Sequence, residues 1–299
     1  MVEENLPNTQ PKRILLATDL SGRGDRALDR AIQLSNQWDA ELLIVHALEG
    51  DGLTSPEHQG LPSWRRPPNS IALVEAQIRD DVRENCPRLR IHVEEGPAIK
   101  VILDAIVREK CDLAVVGLGR YRSLGWPPLG KTIDELFRRA PISVLVVKKR
   151  PRGPYGHMLV GADFTPEARF GLETAAAYFP EAHVAVMNAF EMPYRALMMD
   201  TQLARDFGAM EDATLREFTD GAQLPDGARA RLTTLVEHGP PEVMLSTYIM
   251  EQGADLTVIG AYERSRIFHA MIGGKGPRIV EAVPSDVLVV RAQRDAETS

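Results

Sequence analysis

Residues 13–19 of the chain are RILLATD, and residues 157–163 are HMLVGAD. Each stretch is an apolar run followed by an aspartate as its last residue. The two aspartates, Asp19 and Asp163, are 144 positions apart. An apolar run without polar alternation is typical of a strand in a parallel sheet that helices cover on both faces. The two stretches therefore predict one kind of buried strand that occurs twice in the chain.

Three further landmarks repeat at an offset of 143 residues: the ends of VEEG and VEHG, the ends of LAVVG and LTVIG, and the prolines that open PISVLVV and PSDVLVV. The paired positions are Gly96 and Gly239, Gly117 and Gly260, and Pro141 and Pro284. Self-similarity at a fixed offset indicates duplicated structural units. We therefore predict two domains, 1–150 and 151–299, joined by the Pro/Gly-rich stretch KKRPRGPYG.

Strand-like runs alternate with segments of helical periodicity in both halves of the chain. In the first half, strands are predicted at 13–19, 41–48, 89–95, 112–117 and 142–148, and helices at 23–37, 70–84, 97–109 and 131–140. In the second half, strands are predicted at 157–163, 183–190, 229–237, 255–260 and 286–291. This alternation gives right-handed βαβ crossovers, so the predicted fold class is α/β, with two tandem doubly wound domains.

Composition narrows the class of protein. The chain has 42 acidic and 35 basic residues, a net charge of −7, which argues against a duplex-DNA binder or a partner of anionic membranes. It has no apolar run near the roughly 20 residues that span a bilayer, and no secretory signal at its start. The two cysteines, Cys86 and Cys111, predict ordinary thiols in a reducing compartment. We therefore expect a cytoplasmic protein without nucleic-acid or membrane partners.

Candidate ligand-binding residues follow the strands where the strand order reverses. They are the two aspartates and the long loops at 117–132 and 260–276. Small residues in such loops let backbone N–H groups approach an anion, and the next helix N-terminus adds positive potential. The alternative is that the glycines only relieve crowding, and that Asp19 or Asp163 caps the first helix, a role for which Ser21 and Thr165 are also suited.

Other motifs carry less weight. Residues 125–132, GWPPLGKT, satisfy the P-loop pattern, but Gly125 lies eight positions beyond the predicted strand end and two prolines remove amides from the phosphate cradle. The seven histidines lack zinc-type spacing, and no G-x-S-x-G elbow occurs. His46, at the end of the second strand, is interpreted as a buried structural residue. We expect no catalytic set and at most slow ATPase activity.

The motifs together resemble the universal stress protein family, over about residues 12–149 and again over 156–291. The family signature is G-x-x-G, nine residues, then G-[S/T], accompanied by an aspartate after the first strand, V-x-x-G, and P-V-x-V-V. The resemblance implies five parallel strands per domain in the order 3-2-1-4-5, and an ATP-binding stress-response or regulatory protein. The alternative is a member that binds no nucleotide and acts as a protein-interaction module through the 49–69 loop or the Met192–Met199 segment.

The resemblance also implies where the nucleotide and the partner domain would bind. Ribose and adenine would lie near Asp19 and Ala47, and near Asp163 and Ala189. The phosphates of ATP, with or without Mg²⁺, would lie on the glycine-rich loops and helix starts: Gly117, Gly130, Lys131 and Thr132 in the first half, and Gly260, Gly273 and Gly274 in the second. Because the family dimerises through its last strand, the two domains are expected to pair within the chain through 142–148 and 286–291, with a homodimer as a further state.

The signature is altered at two positions in each half. The second glycine is replaced by Arg120 in the first half and by Glu263 in the second, where a negative charge would repel phosphate. The Ser/Thr position holds Lys131 in the first half and Gly274 in the second. The positive charges of Arg120 and Lys131 favour the first half as the ATP site.

Overall fold

The computed structural model describes residues 10–22, 24–48, 70–83, 85–118, 129–190, 201–262 and 276–292. In the first half the elements are β1 (Arg13–Ala17), α1 (Asp25–Trp38), β2 (Glu41–Leu48), α2 (Ser70–Val82), β3 (Leu89–Glu95), α3 (Ala98–Arg108), β4 (Leu113–Gly117), α4 (Lys131–Arg139) and β5 (Ser143–Val147). In the second half they are β6 (His157–Gly161), α5 (Pro166–Tyr178), β7 (His183–Phe190), α6 (Thr201–Asp220), β8 (Leu232–His238), α7 (Pro241–Gln252), β9 (Leu256–Tyr262), α8 (Gly276–Ala282) and β10 (Asp286–Ala292). The predicted alternation of strands and helices is confirmed.

The strands of the described residues join in a single ten-stranded sheet with the order β3-β2-β1-β4-β5-β10-β9-β6-β7-β8. Within each half all neighbouring strands run parallel, so each half is a five-stranded sheet of order 3-2-1-4-5. The predicted fold class is therefore confirmed. The halves meet at β5 and β10, which run antiparallel with Leu145 opposite Leu288.

Helices cover both faces of the sheet. Leu15 and Leu16 are adjacent in β1 and enter opposite apolar layers, because successive strand residues point to opposite faces. The layer around Leu16 packs under α1, α2, α5 and α6, and the layer around Leu15 packs under α3, α4, α7 and α8. Each layer contains residues of both halves, so the two hydrophobic cores run continuously across the seam between β5 and β10.

A buried basic residue lies at or just beyond the carboxyl end of each seam strand: Lys148 follows β5, and Arg291 is the last residue but one of β10. Lys148 donates hydrogen bonds from Nζ to the carbonyls of Val280 and Val283 at the end of α8, and Arg291 donates to the carbonyl of Phe137 near the end of α4. Cations are stabilised by the unpaired carbonyls and the dipole at a helix C-terminus. Lys148 and Arg291 are 143 positions apart, as are Phe137 and Val280, so the same contact is made twice across the seam.

One side of the seam also contains a fully buried carboxylate, Asp286. Its Oδ1 accepts hydrogen bonds from the backbone N–H groups of Lys148 at 2.8 Å and Lys149 at 2.9 Å, and its Oδ2 accepts from the Tyr155 hydroxyl at 2.7 Å. The Arg30 guanidinium lies 3.7 Å from Oδ2 and 3.9 Å from the centroid of the Tyr155 ring. Asp286 therefore links the end of β5, the linker and α1.

Some predicted element ends are wrong. β1 and β6 end two residues before the predicted ends, so the aspartates lie in turns after the strands rather than at their last positions. Residues 229–231, predicted as the start of a strand, belong to the 3₁₀ helix Ala228–Arg231. The 49–69 loop and the Met192–Met199 segment lie outside the described residues.

The described residues include both cysteines and no membrane-spanning candidate. Cys86 and Cys111 are buried free thiols, and burial raises the pKa of Cys111 to about 12. Among the helices of the described residues, none has the length and apolar character needed to cross a membrane.

The stability of the seam should depend on alkaline pH through Lys148. Burial lowers the pKa of Lys148 from 10.5 to about 8, although Asp286 acts in the opposite direction. Between these values the unfolded chain binds more protons than the folded one, so the free energy of unfolding rises with pH. Relative to a Lys148→Met variant, the unmodified protein should gain up to about 3 kcal/mol across this window. Chemical denaturation at a series of pH values measures this, and parallel curves would contradict it.

Candidate functional site

The candidate residues of the first half meet at the carboxyl edge of its sheet, where the strand order reverses between β1 and β4. From the registers of β1 with β2 and β4, Asp19 is level with Ala47 and with the residue that follows Gly117. α4 returns antiparallel to the strands, so it begins at the same edge. Its first residues supply the remaining described candidates of this half: Gly130, Lys131 and Thr132.

The second half repeats this arrangement in its strand registers. Asp163 is level with Ala189 and with the residue that follows Gly260. The remaining candidates lie outside the described residues: Arg120, Glu263, Gly273 and Gly274. The structure therefore brings together the aspartate, the alanine and the glycine of each half, and the helix start of the first half.

The two aspartates hold tight turns of the same construction. Oδ1 of Asp19 accepts hydrogen bonds from the backbone N–H of Ser21 at 3.0 Å and from its hydroxyl at 2.7 Å. Oδ1 of Asp163 accepts the same two bonds from Thr165, at 3.1 Å and 2.5 Å. In each turn the backbone N–H of Ser21 or Thr165 is bound by the carboxylate instead of by a neighbouring strand. The strand therefore ends before the aspartate.

The residue between carboxylate and hydroxyl has a left-handed backbone in both turns, with φ of 56° at Leu20 and 62° at Phe164. This conformation costs a side-chain-bearing residue roughly 1 kcal/mol or more. The surrounding hydrogen bonds impose it at the same position twice. Such strained positions concentrate at ligand-binding sites.

The interpretation of the aspartates as helix caps is wrong. Gly24 occupies the N-cap position of α1 without a side-chain cap, so the expected cap at Ser21 is wrong as well. Thr165 does cap α5, and its hydroxyl accepts a hydrogen bond from Ala168 N at 3.2 Å. The aspartates instead bind the Ser or Thr that follows them.

A polar residue on the neighbouring strand fixes each turn from the other side. His46 is half-buried, and its Nδ1 donates to the carbonyl of Thr18 at 2.9 Å, since a carbonyl only accepts. In the second half Asn188 Nδ2 donates to the carbonyl of Ala162 at 2.9 Å. Both acceptors immediately precede the aspartate. The sequence signal was a polar residue inside an apolar strand, in LLIVHAL and VAVMNAF.

The surroundings of Asp19 favour its ionised form. Partial burial raises the pKa of this carboxyl, but hydrogen bonds from Ser21 and the charge of His46 outweigh burial and bring the pKa below its ordinary value. Both hydrogen bonds from Ser21 use Oδ1, and Oδ2 accepts no hydrogen bond from another described residue. An ionised carboxylate with a free oxygen can accept hydrogen bonds from the hydroxyl groups of a ligand.

The start of α4 lies at this edge of the sheet. Gly130 is the N-cap without a side-chain cap, and a Cβ placed on it would meet no atom of the described residues within 4 Å. The preceding N–H, that of Leu129, is bound at 2.9 Å by Oε1 of Glu281 from α8 in the other half. The backbone N–H groups of Lys131 and Thr132 follow, and the Lys131 side chain is exposed. This helix start can therefore bind an anion.

Gly260 of the second half, which corresponds to Gly117 of the first half, is covered. Gly260 lies inside β9, which continues to Tyr262, and a Cβ on Gly260 would overlap the carbonyl of Glu167 and lie 2.7 Å from Ala168 N. The first turn of α5 therefore packs directly on this strand. Glu167 is 6% exposed, and its Oε2 has no hydrogen-bond partner among the described residues. The turn that packs on the second-half glycine therefore carries a buried acidic side chain.

Gly260→Ala should destabilise the protein by about 2 kcal/mol or more, because α5 must move away from β9 to admit a methyl group. Gly156→Ala is the matched control, since the nearest atom to its added Cβ is Asp255 Oδ2 at 3.8 Å, an ordinary contact. The control should change the free energy of unfolding by less than about 1 kcal/mol. Urea denaturation of both variants measures the difference, and equal stabilities would contradict the packing of α5 on Gly260.

Among the described residues, no group of three or more His, Cys, Asp or Glu side chains is placed to hold a metal ion. The described part of the first-half site consists of a carboxylate, small residues at strand ends and a helix start.

Solved structures share the architecture of the whole chain. A protein of unknown function from Pseudomonas aeruginosa superposes with a TM-score of 0.66 at 19% identity, over 94% of this chain and 92% of its own. A universal stress protein from Archaeoglobus fulgidus superposes with a TM-score of 0.61 at 14% identity, over 94% and 98%. At these identities the likeness shows the fold alone.

Sequence comparisons address the family. A universal stress protein of Thermus aquaticus is 30% identical over 139 residues, which cover 46% of this chain and 98% of the relative. One from Mycobacterium tuberculosis is 30% identical over 146 residues, which cover 46% and 95%. The model of the universal stress protein family matches residues 11–148 and again 154–291. The chain therefore belongs to the universal stress protein family and carries two of its domains in tandem.

Proposed function

We propose that this protein is a stress-response regulatory protein that binds ATP at the carboxyl edge of its first half. The observation that carries the proposal is the Asp19 turn, in which one carboxylate oxygen is held by Ser21 and the other has no partner among the described residues. The start of α4 lies at the same edge of the sheet.

The strand ends fit the nucleoside part of the ligand. Oδ2 of Asp19 would accept hydrogen bonds from the ribose hydroxyls, a role that carboxylates play in dinucleotide-binding α/β folds. Ala47, level with Asp19, has a small side chain that leaves space for a base at the end of β2. The Ser21 bonds keep Asp19 fixed and ionised before the ligand arrives, which reduces the ordering cost of binding.

The helix start fits the phosphate part. The N–H groups at the beginning of α4 and the small residues Gly117 and Gly130 permit close approach of phosphate oxygens. Lys131 adds a full positive charge where the family signature has Ser or Thr. Mg²⁺ would then be held mainly by the phosphates. The Ser21 hydroxyl is held by Asp19 as part of the turn, and we propose binding with at most slow ATPase activity.

The second half is the weaker candidate, although it keeps the aspartate turn. Its glycine is covered by α5, and the buried carboxylate of Glu167 belongs to the covering turn. The helix start of the second half has Gly274 where the first half has Lys131, so it lacks the positive charge that attracts phosphate. We therefore assign the ATP site to the first half.

The test of the proposed ATP site compares the same substitution, aspartate to asparagine, at the equivalent positions Asp19 and Asp163. Asn retains an oxygen for Ser21 or Thr165 but replaces the second carboxylate oxygen with an N–H₂ group, so Asp19→Asn should weaken ATP binding at least tenfold. Asp163→Asn makes the same change in the second half and should leave the affinity within about twofold. Isothermal titration calorimetry with Mg-ATP on the full chain measures both, after mass spectrometry of any ligand that copurifies.

Lys131→Ala is the second variant and should weaken ATP more than adenosine, because it removes a charge that only the phosphates contact. Absence of heat with the unmodified protein up to millimolar ATP would overturn the proposal and favour the interaction-module alternative. Loss of binding in Asp163→Asn alone would move the site to the second half.

A further inference from the structure

A pocket of about 620 Å³ lies between the two halves, against the linker, and we name it the linker pocket. Its described lining includes five basic residues: Arg26, Arg30, Lys149, Arg150 and Arg152. Two acidic residues, Asp255 and Asp286, also line it. The lining therefore carries an excess of positive charge on a protein whose net charge is −7. None of the residues proposed to bind ATP lines this pocket.

Both carboxylates of the linker pocket are already committed to internal hydrogen bonds. Asp286 accepts from two backbone N–H groups and the Tyr155 hydroxyl, as described for the seam. Asp255 Oδ2 accepts from the backbone N–H groups of Gly156 at 2.8 Å and His157 at 3.0 Å. These carboxylates hold the linker in place through bonds from its backbone N–H groups and from the Tyr155 hydroxyl.

The cations are partly satisfied, since Arg26 and Arg30 donate from Nη1 to the carbonyls of Lys148 and Gly153, each at 2.9 Å. Arg30 is 4% exposed, and its Nε is buried without a hydrogen bond, since Asp286 Oδ2 at 3.7 Å is too far away to accept one. Lys149 and Arg152 form no ion pair with any described residue, whereas Arg150 pairs with Asp29 at 3.1 Å. A buried guanidinium N–H without an acceptor is costly, and its neighbours add unpaired charge around the same space.

We propose that the linker pocket binds a small linear polyanion of the oligophosphate class, such as pyrophosphate or tripolyphosphate. Guanidinium groups bind phosphate oxygens through two parallel N–H bonds, and several of them around one cavity suit a ligand with several anionic groups. The same chemistry could reach the pocket as free oligophosphate or as the phosphate chain of a nucleotide. Binding would hold α1, the linker and the seam together, and does not depend on ATP at Asp19.

The experiment titrates inorganic tripolyphosphate into the full-length protein by calorimetry at low ionic strength. Lys149→Ala combined with Arg152→Ala removes two pocket charges that are not paired within the described residues, and should weaken binding at least tenfold. The matched control, Arg79→Ala combined with Arg216→Ala, removes two arginines whose side chains are 61% and 69% exposed on α2 and α6. The control should change the affinity by no more than about twofold.

The outcomes separate this site from the proposed ATP site. No heat with tripolyphosphate, or equal weakening in both double variants, would overturn the linker pocket as a binding site. If ATP competes with tripolyphosphate in the Asp19→Asn variant, the pocket accepts phosphate chains carried by nucleotides. If only free oligophosphate binds there, the pocket is specific for the free chain. Loss of ATP binding in Asp19→Asn with unchanged tripolyphosphate binding would support both sites independently.

Discussion

The antiparallel pairing of β5 with β10 is the contact on which the rest of this structure depends. It extends two five-stranded sheets into one and makes both hydrophobic layers continuous across the seam. Side-chain hydrogen bonds from Lys148 and Arg291 connect the end of each seam strand to backbone carbonyls at the end of the last helix of the opposite half. Because α4 also begins at the candidate site, and Glu281 of α8 binds the N–H of Leu129 beside it, the seam helps to shape the site.

The seam is not symmetric in charge, and this asymmetry favours pairing of the first half with the second. The position equivalent to Asp286 in the first half is Ser143, and the position equivalent to Arg30 in the second half is Thr174. If two second halves paired with each other, both copies of Asp286 would be buried at the seam and neither would have an arginine equivalent to Arg30. A buried charge that lacks its partner is strongly destabilising. Two first halves would lose the carboxylate that binds the N–H of Lys148. Specificity between similar surfaces commonly depends on such penalties for the wrong partner.

The fold could be predicted from the internal duplication and from the alternation of strand-like and helix-like segments. Gly96 and Gly239, which recur at the common offset, both adopt φ near +150°, where a side chain is strained, so the structure explains why this position is glycine twice. The sequence did not predict where β1 ends, because the bond from Ser21 to Asp19 competes with the strand. The covering of Gly260 depends on how closely α5 approaches β9, which no local pattern encodes. The pocket around Arg30 joins segments more than a hundred residues apart, so only tertiary structure reveals it.

The repeated aspartate turn separates a structural role from a ligand role. Asp163 accepts the same two hydrogen bonds from Thr165 that Asp19 accepts from Ser21, yet in the second half Gly260 is covered by α5. The turn is therefore stable without an open edge beside it, and its presence alone does not define a binding site. What distinguishes the first half is the charge of Lys131 at the helix start, where the second half has Gly274. Divergence after duplication has thus kept the scaffold of both halves and changed the surroundings of one.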